Sequence, residues 1–384
     1  MGKIKVLIVA GNMHVGGIEN QLMHLMRNAD RDKFQFDFTS TMKDAFYRKE
    51  IEKLGGKFFI IPQMDWKNPV PYYRAMHRIM KRGEYHIVHS HELFHSGITL
   101  WIAKRAGVPC RFAHAHNWRD DDGTGKKRSM PRSIYNILMR KMINKYSTTQ
   151  IACSTWAGEF LYGKKTLSKS TYHLVYNSVD SDKFLTEYGR KESGEFCDEG
   201  WTNVLNVARI TAVKNQKFLV EIANEFRKSN DRIRILIAGS GDQQYETEVH
   251  SLIKKGHLES YIQLIGVRKD IDILMRKSDA FVLPSKYEGM PLVMIEAQAS
   301  GLPCISADTY SPEVDFGIGT VTWMSLDVGA SKWAEAIRVS IKSGRPEKAC
   351  IEKTIREKKF DSRMFSDTIC ALYQQDYIEN VKDF

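Results

Sequence analysis

Two glutamates with seven residues between them, Glu288 and Glu296, bracket what reads as the start of a helix. The segment Ala280-Phe281-Val282-Leu283-Pro284-Ser285-Lys286-Tyr287-Glu288-Gly289-Met290-Pro291-Leu292-Val293-Met294-Ile295-Glu296-Ala297 predicts a buried strand, a tight loop and a helix with Pro291 in its first turn. The loop through Gly289, Met290, Pro291 and Leu292 would present unpaired backbone N–H groups to an anion. Glu296, about a turn and a half along, is spaced to accept both hydroxyls of a ribose diol. The competing reading makes both carboxylates solvated, one of them a helix-start charge.

Other residues suit the same chemistry. Arg209 ends an apolar strand and Lys214 follows five residues later, a pair able to stabilise negative charge on a departing nucleotide. Surface solvation is the alternative for an isolated pair. Gly239 and Gly241 end the next strand in Gly-Ser-Gly, which alone also fits a simple tight turn. Near the N-terminus, Gly16 and Gly17 open a helix after the first strand, where backbone can approach a phosphate or sugar. The spacing is not GxGxxG, and no acidic residue cleanly ends the second strand, which argues against a dehydrogenase. His89-Ser90-His91 and His114-Ala115-His116 put alternate histidines on one face of a strand and invite a metal reading. No acidic or cysteine ligand lies close in sequence to complete such a site. A hydrogen-bonded structural role stays open for each. Asp120-Asp121-Asp122 sits in a polar, glycine-bearing stretch and reads as solvated loop.

The E-x7-E after an apolar strand and a Pro-Ser pair resembles the signature of retaining glycosyltransferases of family 4, which have the GT-B fold. Gly301-Leu302-Pro303-Cys304-Ile305-Ser306 resembles that family's G-x-P-V-I strand. The resemblance implies that Glu288 contacts the donor sugar, Glu296 the ribose, and the Gly289–Leu292 amides the sugar hydroxyls and diphosphate. It implies a diphosphate grip by Arg209 and Lys214, with Gly239 and Gly241 beside the base and phosphate. It assigns backbone contact with the nucleobase to Val267, places Gly16 and Gly17 over the diphosphate and acceptor, and sets His116 beside the reacting carbon of the sugar. The implied reaction moves a hexose, with retention, from a nucleotide-diphosphate sugar of the UDP type to a saccharide or lipid-linked saccharide, as in capsule, exopolysaccharide or cell-surface glycan synthesis. It implies no metal and no cofactor, the nucleotide-sugar being a substrate. A non-hydrolysing UDP-sugar epimerase of the same fold, a nucleotide-sugar-binding protein without activity and a basic nucleic-acid-binding protein are the competing functions.

The elements that must position these residues alternate strand and helix, which predicts α/β architecture with parallel sheets covered on both faces. Strands are expected at 5–10, 34–40, 57–61, 86–91, 110–115 and 150–154, then again at 203–209, 232–238, 262–266, 280–284 and 303–306. The pattern gives two doubly wound Rossmann-like domains facing a central cleft: an acceptor domain over 1–180 and a nucleotide-sugar donor domain over 200–362. A last helix, 363–384, is able to cross back to the first domain. Ligands in such sheets bind outside the carboxyl ends of the strands.

A chain of 384 residues has room for two such cores. Its formal charge of +11 is uneven. Residues 1–170 hold 29 Lys+Arg against 14 Asp+Glu, which leaves 28 against 32 for the rest. A basic first half suits a phosphate-rich partner. Over 126–145 the cations Lys126, Lys127, Arg128, Arg132, Arg140, Lys141 and Lys145 alternate with Ile134, Leu138, Met142 and Ile143, with no acid among them. Such a helix suits an anionic membrane surface; a core-packed helix with a solvated basic face is equally consistent. Nucleic acid is disfavoured because no aromatic residues interleave a basic stretch. Scattered cysteines without a CxxC pair point to free thiols, and the expected location is cytoplasmic with peripheral membrane association.

Overall fold

A computed structural model describes residues 2–11, 13, 16–65, 67–119, 130–185, 195–196 and 200–381. The expected solvated loop at Asp120–Asp122, the cations Lys126, Lys127 and Arg128, and Cys197 lie outside these residues. The chain divides into two compact units: one uses residues up to 178 together with the C-terminal helix, the other spans Val179–Asp361.

The first unit is built on seven strands: β1 (Ile4–Val9), β2 (Phe34–Ser40), β3 (Phe58–Ile60), β4 (Ile87–Ser90), β5 (Cys110–Ala115), β6 (Thr149–Ala152) and β7 (Tyr172–Leu174). They lie in the order β3-β2-β1-β4-β5-β6-β7, and all pairs are parallel. A parallel sheet needs helical crossovers, supplied by α1 (Gly17–Asn28), α2 (Arg48–Lys53), α3 (Val70–Gly83), α4 (Ser96–Arg105), α5 (Met130–Tyr146) and α6 (Thr155–Tyr162). Because helices cover both faces, the central strands read as unbroken apolar runs; Val6 through Val9 are fully buried.

The second unit repeats the winding. Its strands are β8 (Thr202–Val207), β9 (Ile233–Ala238), β10 (Ile262–Gly266), β11 (Ala280–Leu283), β12 (Cys304–Ala307) and β13 (Val321–Met324), ordered β10-β9-β8-β11-β12-β13 and again parallel. Its helices are α7 (Ser181–Phe184), α8 (Gln216–Lys228), α9 (Gln243–Lys255), α10 (Ile271–Lys277), α11 (Leu292–Ala299), α12 (Gly329–Ser343) and α13 (Lys348–Glu357). Trp333 of α12 is fully buried and meets Phe218 of α8 edge-on. An aromatic edge contact adds about 0.5–1.5 kcal/mol beyond the area it buries.

The final helix, α14 (Ser362–Val381), lies on the first unit, where Phe365, Ile369 and Tyr373 join the core containing Phe34, Phe36 and Phe38. Each buried side chain of that size is worth roughly 1.5–3 kcal/mol, enough to hold a helix so distant in sequence from its partners.

In both sheets the winding reverses beside the first strand of the unit. The reversal falls between β1 and β4 in one unit and between β8 and β11 in the other. Loops leaving the carboxyl ends of those strand pairs flank a crevice, the usual ligand position in doubly wound sheets. Two edge strands, β7 and β13, lie outside the strands expected from the sequence. They are short or at sheet margins, where apolar periodicity has few residues in which to register.

Candidate active-site residues

In the second unit, the loop after β8 carries Arg209 and Lys214, and the loop after β11 carries Glu288. These are the two loops that flank the reversal. Lys214 Nζ donates to Glu288 Oε1 at 2.5 Å, and Ser285 Oγ donates to the same oxygen at 2.7 Å. The two charged side chains are only 19% and 10% exposed. Removing one member of such a pair leaves the other charge uncompensated, which for buried pairs costs about 3–5 kcal/mol. The Glu288 carboxylate is therefore aimed by two donors rather than left loose in solvent. Arg209 is exposed, and its own carbonyl is clasped by Gln216 Nε2 at 2.9 Å, while Gln216 Oε1 accepts from Thr211 N–H at 3.3 Å. Gln216 is fully buried and opens α8, behind Asn215 in the left-handed region at φ 59°. The buried amide thus shapes the Arg209–Lys214 turn from beneath.

Gly239 and Gly241 have a structural job in that same turn. The strand-like backbone of Ala208–Ile210 runs alongside them, with Ile210 N–H donating to Ser240 and Asp242 N–H donating to Ile210. A Cβ on Gly239 would meet the Ala208 carbonyl oxygen at 2.0 Å, and one on Gly241 the Ile210 carbonyl oxygen at 2.2 Å. The glycines let the two loops lie in backbone contact and so hold Arg209 in place. Val267 follows β10 and is 60% exposed, an unusual place for a bare β-branched side chain.

Gly289, Met290, Pro291 and Leu292 are all buried in the approach to α11. Pro291 sits one position before the helix, as its N-cap, and not within the first turn as the sequence predicted. Its φ of −67° and ψ of 115° turn the chain from loop to helix. Glu296 is 9% exposed, and burial raises its carboxyl pKa to about 7. Lys183 of α7 partly offsets this and Asp272 adds to it; these two residues form their own ion pair at 3.3 Å. Glu288 and Glu296 therefore differ: one carboxylate is paired, the other is held close to neutrality by desolvation.

In the first unit, Gly16 and Gly17 begin α1 after β1. Gly16 is its extended N-cap and brings no side-chain hydrogen bond to the helix start. A Cβ on Gly16 would meet Glu19 Oε2 at 2.4 Å. His116 follows β5, 8% exposed, with its Nε2 2.8 Å from His91 Nδ1. Burial lowers its pKa to about 3, so the ring is neutral at physiological pH. His89, His91 and His114 are likewise buried and pushed well below the usual imidazole range, first by desolvation and then by the other imidazoles. Successive rings on each strand lie 4.1 Å apart, and His89 stacks on His114 within 3° at 5.3 Å. His89 Nδ1 reaches the Tyr373 hydroxyl of α14 at 2.6 Å. Beside them, Leu93 occupies the left-handed region at φ 50°, backbone strain of a kind that collects at functional loops.

The sequence reading did not find Ser285, Gln216, Lys183 or Tyr373. Ser285 belongs to the Pro-Ser pair and was within reach of that argument. Gln216 acts within its own turn through a side-chain amide that no motif singles out, whereas Lys183 and Tyr373 act across long sequence separations and left no local signal.

Two family models account for most of the chain. The model described as Glycosyltransferase Family 4 matches residues 15–183, and that described as Glycosyl transferases group 1 matches residues 195–356. The glycosyltransferase EpsF of Bacillus subtilis (strain 168) is 34% identical over 375 residues, 96% of each chain. The UDP-Gal:alpha-D-GlcNAc-diphosphoundecaprenol alpha-1,3-galactosyltransferase of Escherichia coli is 30% identical over 243 residues, 60% of each. Among solved structures, Anabaena HepE in complex with UDP-glucose superposes with a TM-score of 0.75 at 18% identity, covering 97% of this chain and 99% of that one. The duplicated doubly wound units are those of GT-B glycosyltransferases. With each half matched in turn and one relative similar along nearly its whole length, this chain belongs to the family 4 glycosyltransferases and is a glycosyltransferase.

Proposed function

We propose that the enzyme transfers a hexose from a UDP-sugar, with retention at the anomeric carbon, to a hydroxyl of a saccharide or lipid-linked saccharide during polysaccharide synthesis. The observation that carries this reading is the Lys214–Glu288 pair, joined across the two loops at the winding reversal, with Arg209 on the same loop as Lys214. A cationic pair at that crevice suits a diphosphate leaving group, and the adjoining carboxylate suits sugar hydroxyls. Glu296 takes the ribose, Val267 lies against the base, and the buried loop from Gly289 to Leu292 lines the sugar and phosphate. His116, as a neutral ring, hydrogen-bonds to the sugar without adding charge. Gly16 and Gly17 of the first unit are assigned to the diphosphate and the acceptor. Arg209 and Lys214 neutralise the leaving group with no divalent cation at that position. The relatives support the donor and acceptor classes: the Escherichia coli enzyme is named for UDP-galactose and a diphosphoundecaprenol-linked sugar, a Staphylococcus aureus relative for capsular polysaccharide biosynthesis, and HepE is bound to UDP-glucose.

The test is turnover of UDP- and GDP-sugars with and without a lipid-linked acceptor, with the product's anomeric configuration read by NMR. An axial donor sugar should give an axial linkage, and chelator should leave UDP affinity unchanged. Epimerised free donor without transfer would establish the epimerase instead. Silence toward every donor, together with RNA affinity, would overturn the enzymatic assignment of these residues.

A second observation bears on where the enzyme works. On α5, Ile134, Ile137 and Leu138 are each more than half exposed, and Lys141 and Lys145 lie exposed on the following turns. Met139 and Ile143 face the core, and Arg140 turns inward to the carbonyls of Phe160 and Leu161. The apolar set expected from the sequence thus divides: Ile134 and Leu138 point out with Ile137, while Met142 is half-buried and Ile143 buried. We infer that this outward face rests on an anionic cytoplasmic membrane surface, where each cation adds about 1 kcal/mol. Among the described residues no helix is long and apolar enough to cross a bilayer.

A further inference from the structure

We propose that His89, His91 and His114 form a binding site for one divalent d-block cation of the zinc type. All three belong to the first unit, and His91 hydrogen-bonds to His116, the residue assigned above to the donor sugar, so the metal site adjoins that assignment without resting on it.

The argument begins with the sheet. His89 and His91 alternate along the end of β4, and His114 lies on the adjoining parallel strand β5. The register pairs His89 with Phe112 and Ser90 with Ala113, so that continuing it brings His91 level with His114. Three imidazoles therefore share one face of two neighbouring strands. A ring nitrogen from each lies within 4.8 Å of the others. An ion bonded at about 2.0–2.1 Å to each would draw the three nitrogens closer together, a movement available to rings that now stack.

Burial makes the need for a ligand concrete. The three residues are at most 8% exposed, yet Nε2 of His89, Nε2 of His91 and both nitrogens of His114 have no hydrogen-bond partner. Buried polar atoms are almost always satisfied, so a group of them aimed into one place marks a missing partner.

The outer partners also fit. Metal-bound histidines characteristically donate their second N–H to a fixed acceptor, which sets the tautomer. His89 Nδ1 lies 2.6 Å from the Tyr373 hydroxyl, and His91 Nδ1 lies 2.8 Å from His116 Nε2. If both Nδ1 atoms carry the proton, both Nε2 lone pairs are free for the ion. Three neutral nitrogen ligands leave the ion's charge intact, so a water-derived hydroxide or another small anion completes a tetrahedral shell.

Full-length protein would be stripped with chelator, loaded with Zn²⁺, freed of excess by gel filtration and assayed by elemental analysis. Co²⁺ would serve as the spectroscopic probe. The proposal expects one ion per chain, visible Co²⁺ bands of tetrahedral intensity, and a rise in melting temperature on Zn²⁺ addition. His114→Ala and His91→Gln should each weaken binding at least 100-fold, and Tyr373→Phe about 10-fold. His250→Gln with His257→Gln, both exposed in the second unit, should leave the stoichiometry at one. Tyr373→Phe and His91→Gln carry the test if His114→Ala does not fold, as judged by circular dichroism. Absence of stoichiometric metal in the unmodified chain, or equal affinity in the histidine variants, would overturn the site. UDP affinity, measured in the same samples, should not respond to Zn²⁺; loss of UDP binding alone would count against the donor assignment and leave the metal site standing.

Discussion

The two units share one winding and hold their candidate residues by opposite electrostatic means. In the second unit full charges answer one another: Lys214 meets Glu288 across the loops at the reversal, and Lys183 of α7 meets Asp272 of α10. In the first unit the strand ends carry four imidazoles whose nearest electrostatic neighbours are other imidazoles, and burial keeps them neutral. A scaffold repeated within one chain has thus been given one charged crevice and one uncharged polar one. The fold determines where a ligand-facing loop emerges, and the side chains on it determine what it can hold.

Four experiments press on this difference, beginning with the largest expected effect. Lys214→Ala removes a cation from the charged crevice and strands Glu288; kcat/KM should fall about 100- to 1,000-fold. An unchanged kcat/KM would mean that the pair is only structural.

Glu296→Gln tests a carboxyl of that unit held near neutrality by burial. Accepting from a ribose diol requires the ionised form, so UDP-sugar affinity of the unmodified chain should rise with pH through about 7 and then level. The Gln variant should bind about 10- to 100-fold more weakly at pH 8 and lose the pH dependence, as expected for hydrogen bonds to a charged acceptor. Parallel titration curves for the two proteins would remove Glu296 from the site.

Acid separates the units further. The His116 ring takes up a proton near pH 3 when folded but near its ordinary value when unfolded, so the unfolded chain binds more protons between those limits. Its contribution to stability is present above the ordinary imidazole value and is lost as pH falls toward 3. Glu296 runs the other way: the folded state retains a proton up to about 7, so lowering pH from 7 to its ordinary carboxyl value favours folding. In metal-free protein, His116→Leu should flatten the loss of melting temperature between pH 7 and 5, whereas Glu296→Gln should steepen it. Identical slopes in all three proteins would dissolve the contrast.

The smallest effect belongs to the outward face of α5. Replacing Ile134, Ile137 and Leu138 by Ser should reduce binding to vesicles containing anionic lipid several-fold and leave UDP affinity unchanged. Equal vesicle binding before and after would remove the membrane role.

The alternation of strand and helix, the two glutamates and the Arg209–Lys214 spacing were all readable along the chain, because buried parallel strands and helix starts write their demands into local residue order. The E-x7-E segment even foretold its loop and helix, apart from the one-residue shift of Pro291. Tertiary structure decided the partnerships. Lys214 and Glu288 are 74 residues apart, and His89 and Tyr373 are 284. No local pattern encodes a hydrogen bond across such a distance. The histidines show this most clearly: along the chain they form two separate His-x-His repeats more than twenty residues apart. Only the parallel pairing of β4 with β5 brings His114 beside His89 and His91, and only the folded core, with Tyr373 of α14 against His89, strips those rings of water.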